Sequence, residues 1–429
     1  MVLKDVWEEH LDEAGFQWAQ WERALRSPDF NLEETAAREE RLLAHLEGLE
    51  EVGALDAVVR PALDSEADER GFAALYALLS LGHVEEGLNR FHEAPPEVRS
   101  ALRRALELSE AARLGPVLAE RLMRADAPSP ADALEVLTAR QEAPVELLVR
   151  YSTHPDPRTR LAALRGMLPL PEHGVREHLP SLFASHDENI REAAMEVGLA
   201  AGMRIAWRAC QDAVRARAEP AREAMVLLAL GGDETDTMVL VDALSTEGLR
   251  AQALWALGFS GRVPAMEACL EYLEVPAVAR LAAEAFSAMT GLRIEGGHAL
   301  PEGEQPEGAP TSPEDQEDLD ADLVPRPEGD LPWPHVSAVR DWWGRNRSRF
   351  TKGLRYLQGK PFSGPVLQEA LASSSMRRRH VLARELAIRT HGRHVIPTRA
   401  FARRQHESAL RARDAAHLIR GTPLASSLR

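Results

Sequence analysis

The sequence predicts an all-α fold in which short helix pairs stack into a right-handed solenoid. Three observations predict it. A motif recurs about every thirty residues, and apolar residues within each copy are spaced three to four positions apart. Hydrophobic residues make up 45% of the chain but aromatic residues only 5%. Because Ala, Leu and Val must then fill the core, closely packed helices are favoured over a β-sandwich.

The repeat is clearest in the middle of the chain, where an arginine recurs at intervals of 31, 31, 28 and 30 residues. Fainter copies surround Arg70 and Arg99, and a degenerate copy fits at SPADALEVLTAR, which gives about eight helix pairs. Acidic residues precede the first four arginines by three or four positions. This ladder consists of Asp156, Arg160, Asp187, Arg191, Glu219, Arg222, Glu247, Arg250 and Arg280.

The recurring acidic residue and arginine have two interpretations. In the structural one, each carboxylate caps the N-terminus of a helix and each arginine contacts the neighbouring repeat. In the alternative, the arginines form a row that recognises an acidic ligand. The interleaved acidic residues argue against a ligand, so we expect a structural role.

The repeats are flanked by different segments, and the sequence predicts four domains or regions. Residues 1–55 contain Trp7, Phe16, Trp18 and Trp21 and are predicted to form a helical cap on the first repeat. Surface recognition by these tryptophans is the alternative. Residues 56–296 form the repeats. Residues 297–332 are acidic and Pro-rich, which predicts a disordered linker, and residues 333–429 form a separate basic helical region.

The net charge of −16 conceals two segments of opposite sign. Residues 333–429 contain 20 Lys and Arg against 5 Asp and Glu, and the rest of the chain contains 31 against 62. Basic residues with interleaved aromatics suit an acidic protein, the acidic solenoid of the same chain, or a nucleic acid. The candidate partner-binding residues are Trp342, Trp343, Arg345, Arg347, Arg349, Arg355, Tyr356, Arg377, Arg378 and Arg379.

Sequence motifs give no support for catalysis. Nucleotide-binding loops and nucleophile elbows are missing, so we expect no enzyme activity and no cofactor. The histidines around His173 and His178 are irregularly spaced and do not predict a metal site. The two cysteines cannot form a disulfide framework, no apolar run is long enough for a membrane span, and the N-terminus is charged. A cytoplasmic protein that does not interact with membranes is therefore expected.

Motifs at the N-terminus, in the middle of the chain and near the C-terminus resemble one proteobacterial family. These are EEHLDEAGFQWAQWERAL, LLAHLEGL, AFSAMTGL and a C-terminal pattern. The chain is similar along its whole length to uncharacterised HEAT-repeat proteins often encoded among type VI secretion genes. One departure is Ser-Met-Arg-Arg-Arg at 375–379, where the family is expected to have a sequence close to QRQR. The short repeats also resemble those of bilin lyases, which implies the fold alone. The C-terminal pattern is matched by Trp343, Asn346, Arg349, Phe350, Gly353, Arg355, Tyr356, Leu357, Gly359 and Pro361.

The expected function is that of a non-catalytic α-solenoid scaffold or adaptor that binds protein partners. The resemblance implies HEAT-like helix pairs and an accessory role in type VI secretion. Nucleic-acid binding through the basic region is one alternative, and an enzyme whose site is not visible as a motif is another. Intramolecular docking of the basic region on the acidic solenoid is a further expectation, because a tether raises the effective concentration of the two surfaces.

Overall fold

The protein is predominantly α-helical. A computed structural model describes residues 2–64, 68–171, 175–217, 222–301, 303–306 and 327–428. Within these ranges the regular strands are limited to a hairpin of two residues on each side, β1 (Tyr356–Leu357) and β2 (Lys360–Pro361). The all-α prediction is therefore confirmed. None of the described helices has the length and apolar character needed to cross a membrane.

The chain divides into two compact units. The first contains residues 1–26, 30–178 and 395–411, and the second contains residues 27–29, 179–394 and 412–429. These units do not coincide with the four segments predicted from the sequence. The basic C-terminal region in particular is divided between them and is not a separate body.

The first unit is built on helices that pack in sequence order. Helix α1 packs on α2 and α5, α5 on α7, α7 on α9, and α9 on α11. The intervening helices α6, α8 and α10 each contact a member of that series. The helices are α1 (Val2–Ala24), α2 (Leu32–Glu47), α3 (Val52–Ala54), α4 (Arg60–Ala62), α5 (Asp68–Ser80), α6 (Val84–Glu93), α7 (Pro96–Leu108), α8 (Leu114–Met123), α9 (Pro130–Arg140), α10 (Val145–Tyr151) and α11 (Pro157–Arg165).

The second unit repeats this arrangement and adds the C-terminal elements. Helices α13, α15, α17 and α19 pack one against the next, and α14, α16 and α18 do the same. Helix α22 also contacts α13. The helices are α12 (Leu179–Leu182), α13 (Glu188–Ala200), α14 (Arg204–Arg215), α15 (Arg222–Gly231), α16 (Glu234–Ala243), α17 (Glu247–Ser260), α18 (Val263–Glu271), α19 (Ala279–Thr290), α20 (Val336–Asn346), α21 (Gly364–Ser373), α22 (Met376–Arg389) and α23 (Ala402–Ala416), whose residues 402–411 belong to the first unit.

Apolar side chains, three of them alanines, occupy the positions where these helices approach one another. Ala194 on α13, Met225 on α15, Ala253 on α17 and Ala283 on α19 each stand three residues after a ladder arginine, and all four are buried. Each contributes apolar contact without forcing the neighbouring helix away. The repeat spacing in the sequence therefore marks the positions where successive helices pack.

The acidic segment 297–332 is ordered at both ends. Short 3₁₀ turns occupy Gly296–His298 and Pro327–Asp330, and the backbone N–H of Leu300 donates to the carbonyl of Trp333 over 2.8 Å. The predicted disorder is therefore wrong for these flanks, whose backbone groups pair with each other. Residues 302 and 307–326 lie outside the described part of the chain.

Candidate functional site

The ladder carboxylates act as helix caps at two of the four predicted positions. Asp156 accepts a hydrogen bond from the backbone N–H of Thr159 over 2.8 Å, and Asp187 accepts one from Ile190 over 3.2 Å. Glu247 is instead the first residue of α17, and the capping position before it makes no side-chain hydrogen bond. Glu219 lies outside the described residues. The capping interpretation thus holds for the two aspartates and is corrected for Glu247.

The ladder arginines all lie in the first turn of a helix. Arg160 is on α11, Arg191 on α13, Arg222 on α15, Arg250 on α17 and Arg280 on α19. Arg191 donates to the carbonyl of residue 185 over 2.9 Å, and Arg250 to that of residue 244 over 3.1 Å. The guanidinium groups of Arg222, Arg250 and Arg280 each stand over an aromatic ring, at 5.5, 5.5 and 4.1 Å. These contacts join elements of the fold and favour the structural interpretation.

One predicted partner-binding residue, Arg355, is buried in an ionic cluster around Glu385 of α22. Arg355 donates to Glu385 through both terminal nitrogens, one of them over 2.9 Å, and Arg389 donates to it over 2.7 Å. Arg355 also donates to the carbonyls of Leu230 and Phe259 over 3.0 and 2.9 Å. Arg355 therefore fastens the C-terminal region to α15 and α17, and its predicted place on a partner-binding surface is wrong.

The arginine triplet at the start of α22 is also internal. Arg377 donates to Glu328 over 2.9 Å, Arg378 donates to the carbonyl of residue 258 over 2.8 Å, and both lie beside Glu284 of α19. Arg379 is 1% exposed and donates to the carbonyl of residue 371 over 2.7 Å. The prediction that this triplet binds an external partner is wrong, because all three side chains are buried inside the unit.

Burial changes the acid–base properties of this triplet. Burial lowers the pKa of Arg378 to about 10, with Glu284 opposing the shift. Burial likewise raises the pKa of Glu284, and the charges of Arg378 and Arg377 oppose that shift. The two shifts have the same cause, since both charged groups lose hydration when they meet inside the unit. Arg378 remains charged at neutral pH.

Arg384, which was not among the predicted site residues, joins α22 to acidic residues of two other helices. It pairs with Glu196 of α13 over 2.9 Å and with Glu223 of α15. Arg384 lies seven residues after Arg377, so both residues are on one side of α22, but that spacing does not indicate the carboxylates that Arg384 contacts. With Arg378, it shows that α22 lies along helices α13 to α19.

The predicted aromatic residues form part of a cluster at the end of the helix series. Trp342 and Trp343 of α20 contact Phe286 of α19 with ring centroids 6.0 and 5.5 Å apart. Trp343 also packs on Phe350, which contacts Tyr356. Trp343 and Tyr356 are buried, so their assignment to a partner-binding surface is corrected. Helix α20 instead packs its two tryptophans against Phe286 of α19.

The N-terminal tryptophans pack inside the first unit. Trp18 stacks on Phe72 of α5 with ring centroids 4.4 Å apart. Trp21 is fully buried and lies 5.3 Å from Phe401. Phe16 points outward and is 55% exposed. Packing rather than recognition therefore accounts for Trp18 and Trp21, and Phe16 lies on the surface.

A basic turn remains exposed after these corrections. It consists of Arg345, Arg349, Lys352 and Leu354, and we call it the 345–354 turn. Arg345 donates to the carbonyl of residue 341 and Arg349 to the side chain of residue 346, both of them neutral acceptors. Arg347 pairs with Glu267 over 2.7 Å, and Lys352 lies 3.6 Å from Glu234, so Arg345 and Arg349 are the basic residues of this turn whose described acceptors are all neutral. Leu354 is 48% exposed, so this turn presents positive charge beside an apolar side chain.

Comparison with known proteins gives no family. No protein-family model matches the chain, and no curated protein matches it either. A solved crystal structure of an engineered protein is similar at 18% sequence identity, over 66% of this chain and 92% of that chain, with a TM-score of 0.31. A likeness at that TM-score carries no argument about this protein, so function must be inferred from the contacts above.

The histidines show no metal centre within the described ranges. Groups of three or more His, Cys, Asp or Glu side chains that could hold an ion do not occur there. His10 and His45 approach each other, with 3.2 Å between their Nδ1 atoms. This pair joins α1 to α2. His173 lies outside the described residues.

Proposed function

We propose that this chain is a non-catalytic α-solenoid scaffold of HEAT-like helix pairs that binds protein partners. The observation that carries the proposal is the ordered packing of α13, α15, α17 and α19, with α14, α16 and α18 packed beside them in the same order. Stacked helix pairs present long surfaces that suit protein recognition. The sequence resemblance adds an accessory role in type VI secretion to this proposal.

An acidic protein surface is the favoured partner of the 345–354 turn. Arg355, Arg377, Arg378 and Arg384 are paired with carboxylates of the same unit. These residues are therefore unavailable to neutralise phosphates along a nucleic-acid backbone, which normally requires several free cations in register. The exposed turn offers a few charges beside Leu354, and such a mixture of charged and apolar contacts is common at protein interfaces.

The experiment compares two pairs of charge reversals. Tagged full-length chain carrying Arg345→Glu and Arg349→Glu is recovered from the cells that naturally produce it, and co-purified proteins are measured by quantitative mass spectrometry. Charge reversal at an electrostatically complementary interface should reduce recovery of a specific partner about tenfold. The matched control carries Arg215→Glu and Arg293→Glu, which are exposed residues elsewhere in the second unit. It should leave recovery unchanged.

Equal recovery with both variants would contradict binding at this turn. A mobility shift with duplex DNA or RNA, measured across salt concentrations, addresses the alternative. Binding that weakens steeply with salt and disappears in the Arg345→Glu, Arg349→Glu variant would favour nucleic-acid recognition instead.

Docking of the C-terminal region within the second unit suggests how partner binding is limited. Helix α22 already occupies the side of α13, α15, α17 and α19 to which Glu196, Glu223 and Glu284 point. A partner on that side would have to displace it. Displacement stays a prediction, and the proposed binding surfaces are therefore those that α22 leaves open.

A further inference from the structure

A groove in the second unit runs between α13 and α14. Its volume is about 810 Å³, which is within the range of ligand-binding clefts. Phe183, just after α12, contributes to one wall together with Met195 of α13, and Ile205 of α14 contributes to the other. Phe183 and Met195 are buried, whereas Ile205 is 47% exposed. We call this feature the α13–α14 groove.

The groove is open because one helix of the series is short. Helix α16 is flanked by α14 on one side and α18 on the other. Helix α14 has α16 as its neighbour on one side. The helix that would take the corresponding place on its other side is α12, which has only four residues. By comparison, α14 has 12 residues and α16 has 10. One side of α14 therefore lacks a helical neighbour of matching length within the described part of this unit.

The open side of α14 carries apolar and small residues at helical spacing. Ile205, Ala209, Ala213 and Ala216 follow one another at intervals of four, four and three residues and all line the groove. Such a stripe allows a second helix to approach closely, as in other helix-in-groove complexes. The 12 residues of α14 extend over about 18 Å. A helix of two to three turns fits that length.

The wall formed by α13 is acidic. Glu188 and Glu192 line the groove one turn apart, and Glu192 accepts a hydrogen bond from the backbone N–H of Glu223. Burial raises the pKa of Glu192 to about 7, the nearby carboxylates of Glu223 and Glu188 add to the shift, and the hydrogen bond from Glu223 and the charge of Arg384 oppose it. A cation at this wall would relieve the repulsion among the three carboxylates.

Arg191 lines the same wall, but neither Glu188 nor Glu192 forms an ion pair within the described part of the chain. Arg191 donates to the carbonyl of residue 185, and Arg384 pairs with Glu196 and Glu223. Arg208 and Asp212 stand one turn apart on the exposed edge of α14 and have opposite charges. We therefore expect a ligand of the groove to place a positively charged group next to Glu188 and Glu192.

We propose that the α13–α14 groove binds an amphipathic helix of a partner protein, with the apolar face of that helix on α14 and a Lys or Arg beside Glu188 and Glu192. The inference rests on the proposed scaffold function and identifies where a partner docks. The open side of α14 and the apolar stripe select a helix. The acidic residues Glu188 and Glu192 favour a partner helix that carries a positive charge.

The test uses benzoylphenylalanine, a photo-crosslinking amino acid, in the full chain expressed in its native cells. Separate variants carry it in place of Ile205 in the groove, of Leu354 in the 345–354 turn and, as a matched control, of Met238 on α16, which has an exposure of 43%, similar to that of Ile205. After irradiation, the crosslinked partner peptides are sequenced by mass spectrometry. The Ile205 variant should yield adducts in a segment with helically spaced apolar residues and a Lys or Arg. A second change, Ala213→Trp or Ala216→Trp, fills the groove and should reduce these adducts about tenfold.

The possible outcomes separate this inference from the scaffold proposal. Two tryptophan variants are used because Ala213 is half-buried and Ala216 is exposed, so at least the second should leave the fold intact. Adducts at Ile205 that survive both tryptophan changes, or that lie in an acidic or non-helical segment, would overturn the groove assignment. Adducts at Met238 or at Leu354 with none at Ile205 would overturn it while the scaffold proposal stands. Protein adducts at none of the three positions would overturn both.

Discussion

Replacing Glu385 with glutamine should destabilise the second unit more than any conservative change at its surface. Glu385 is fully buried, with 0% exposure, and accepts hydrogen bonds from Arg355 and Arg389, whose side chains are also buried. Burial by itself raises the pKa of Glu385, but the two arginines outweigh it and hold the pKa below its ordinary value. The carboxylate is therefore charged at neutral pH.

The expected cost follows from the charges left behind. Glutamine keeps one acceptor oxygen but removes the only negative charge that Arg355 and Arg389 share within the described contacts. Removing one partner of a buried ion pair typically costs about 3–5 kcal/mol. That is a large part of the roughly 5–15 kcal/mol by which domains are stable. For a unit of this size, it corresponds to a lowering of Tm by about 10 °C.

Urea denaturation of the full chain, followed by circular dichroism at pH 7, measures this cost. Glu369→Gln is the matched control, since Glu369 pairs with Lys360 at the surface and should cost less than about 1 kcal/mol. Because the folded pKa of Glu385 is lowered, its contribution persists at neutral pH and is lost as the pH falls through that folded pKa. The difference between wild type and Glu385→Gln should therefore stay constant from pH 8 to pH 6.

A loss below about 1 kcal/mol would refute this reasoning. It would mean that water reaches the cluster or that the cluster is not formed. A further check replaces all three charges together, as Arg355→Met, Glu385→Leu and Arg389→Met. Apolar replacement of a whole buried cluster is often neutral, so this triple variant should be more stable than Glu385→Gln.

Three other changes give independent predictions. Ala194→Glu places a charge at a buried helix contact and should lower the free energy of unfolding by several kcal/mol, on the order of 3–5, by urea denaturation. Burial raises the pKa of Glu39 to about 7 although it accepts a hydrogen bond from the N–H of Ala402, so stability should fall as pH rises from 5 to 8. Glu39→Gln should flatten that slope and gain up to about 3 kcal/mol at pH 8. Trp343→Ala should lower Tm by exposing Phe286, at a cost of about 3–5 kcal/mol, and scanning calorimetry would measure it.

The local features of the fold were accessible from the sequence because their causes are local. Asp156 and Asp187 cap helices through backbone groups three residues away, and that pattern is visible in a short window. The buried Ala194 and Ala253 follow from the helical period and from the repeat. A segment of about thirty residues contains enough information for these assignments, and the all-α class follows from them.

The C-terminal contacts were not accessible because their causes are distant in sequence. Arg377 and Arg378 form a local excess of charge, and such runs are usually exposed. Their carboxylate partner Glu284 lies about ninety residues earlier, and no pattern within α22 indicates it. Helix α22 is also buried on most of its circumference although it carries five arginines, so hydropathy gave the wrong exposure. The α13–α14 groove was not predicted from the sequence, because it depends on α12 being too short to cover one side of α14.

The long reach of the arginine contacts has a consequence for synthesis of the chain on the ribosome. Arg384 pairs with Glu196 across 188 residues of sequence, and Arg104 donates to the carbonyl of Arg399 across 295. Until the C-terminal residues emerge, Glu196 of α13 lacks its partner Arg384, and Arg104 of α7 lacks the carbonyl of Arg399. Contacts so distant in sequence form slowly, and incomplete chains of this kind are prone to aggregate. Nascent chains that stop before α22 should therefore depend on chaperones more than the completed protein does.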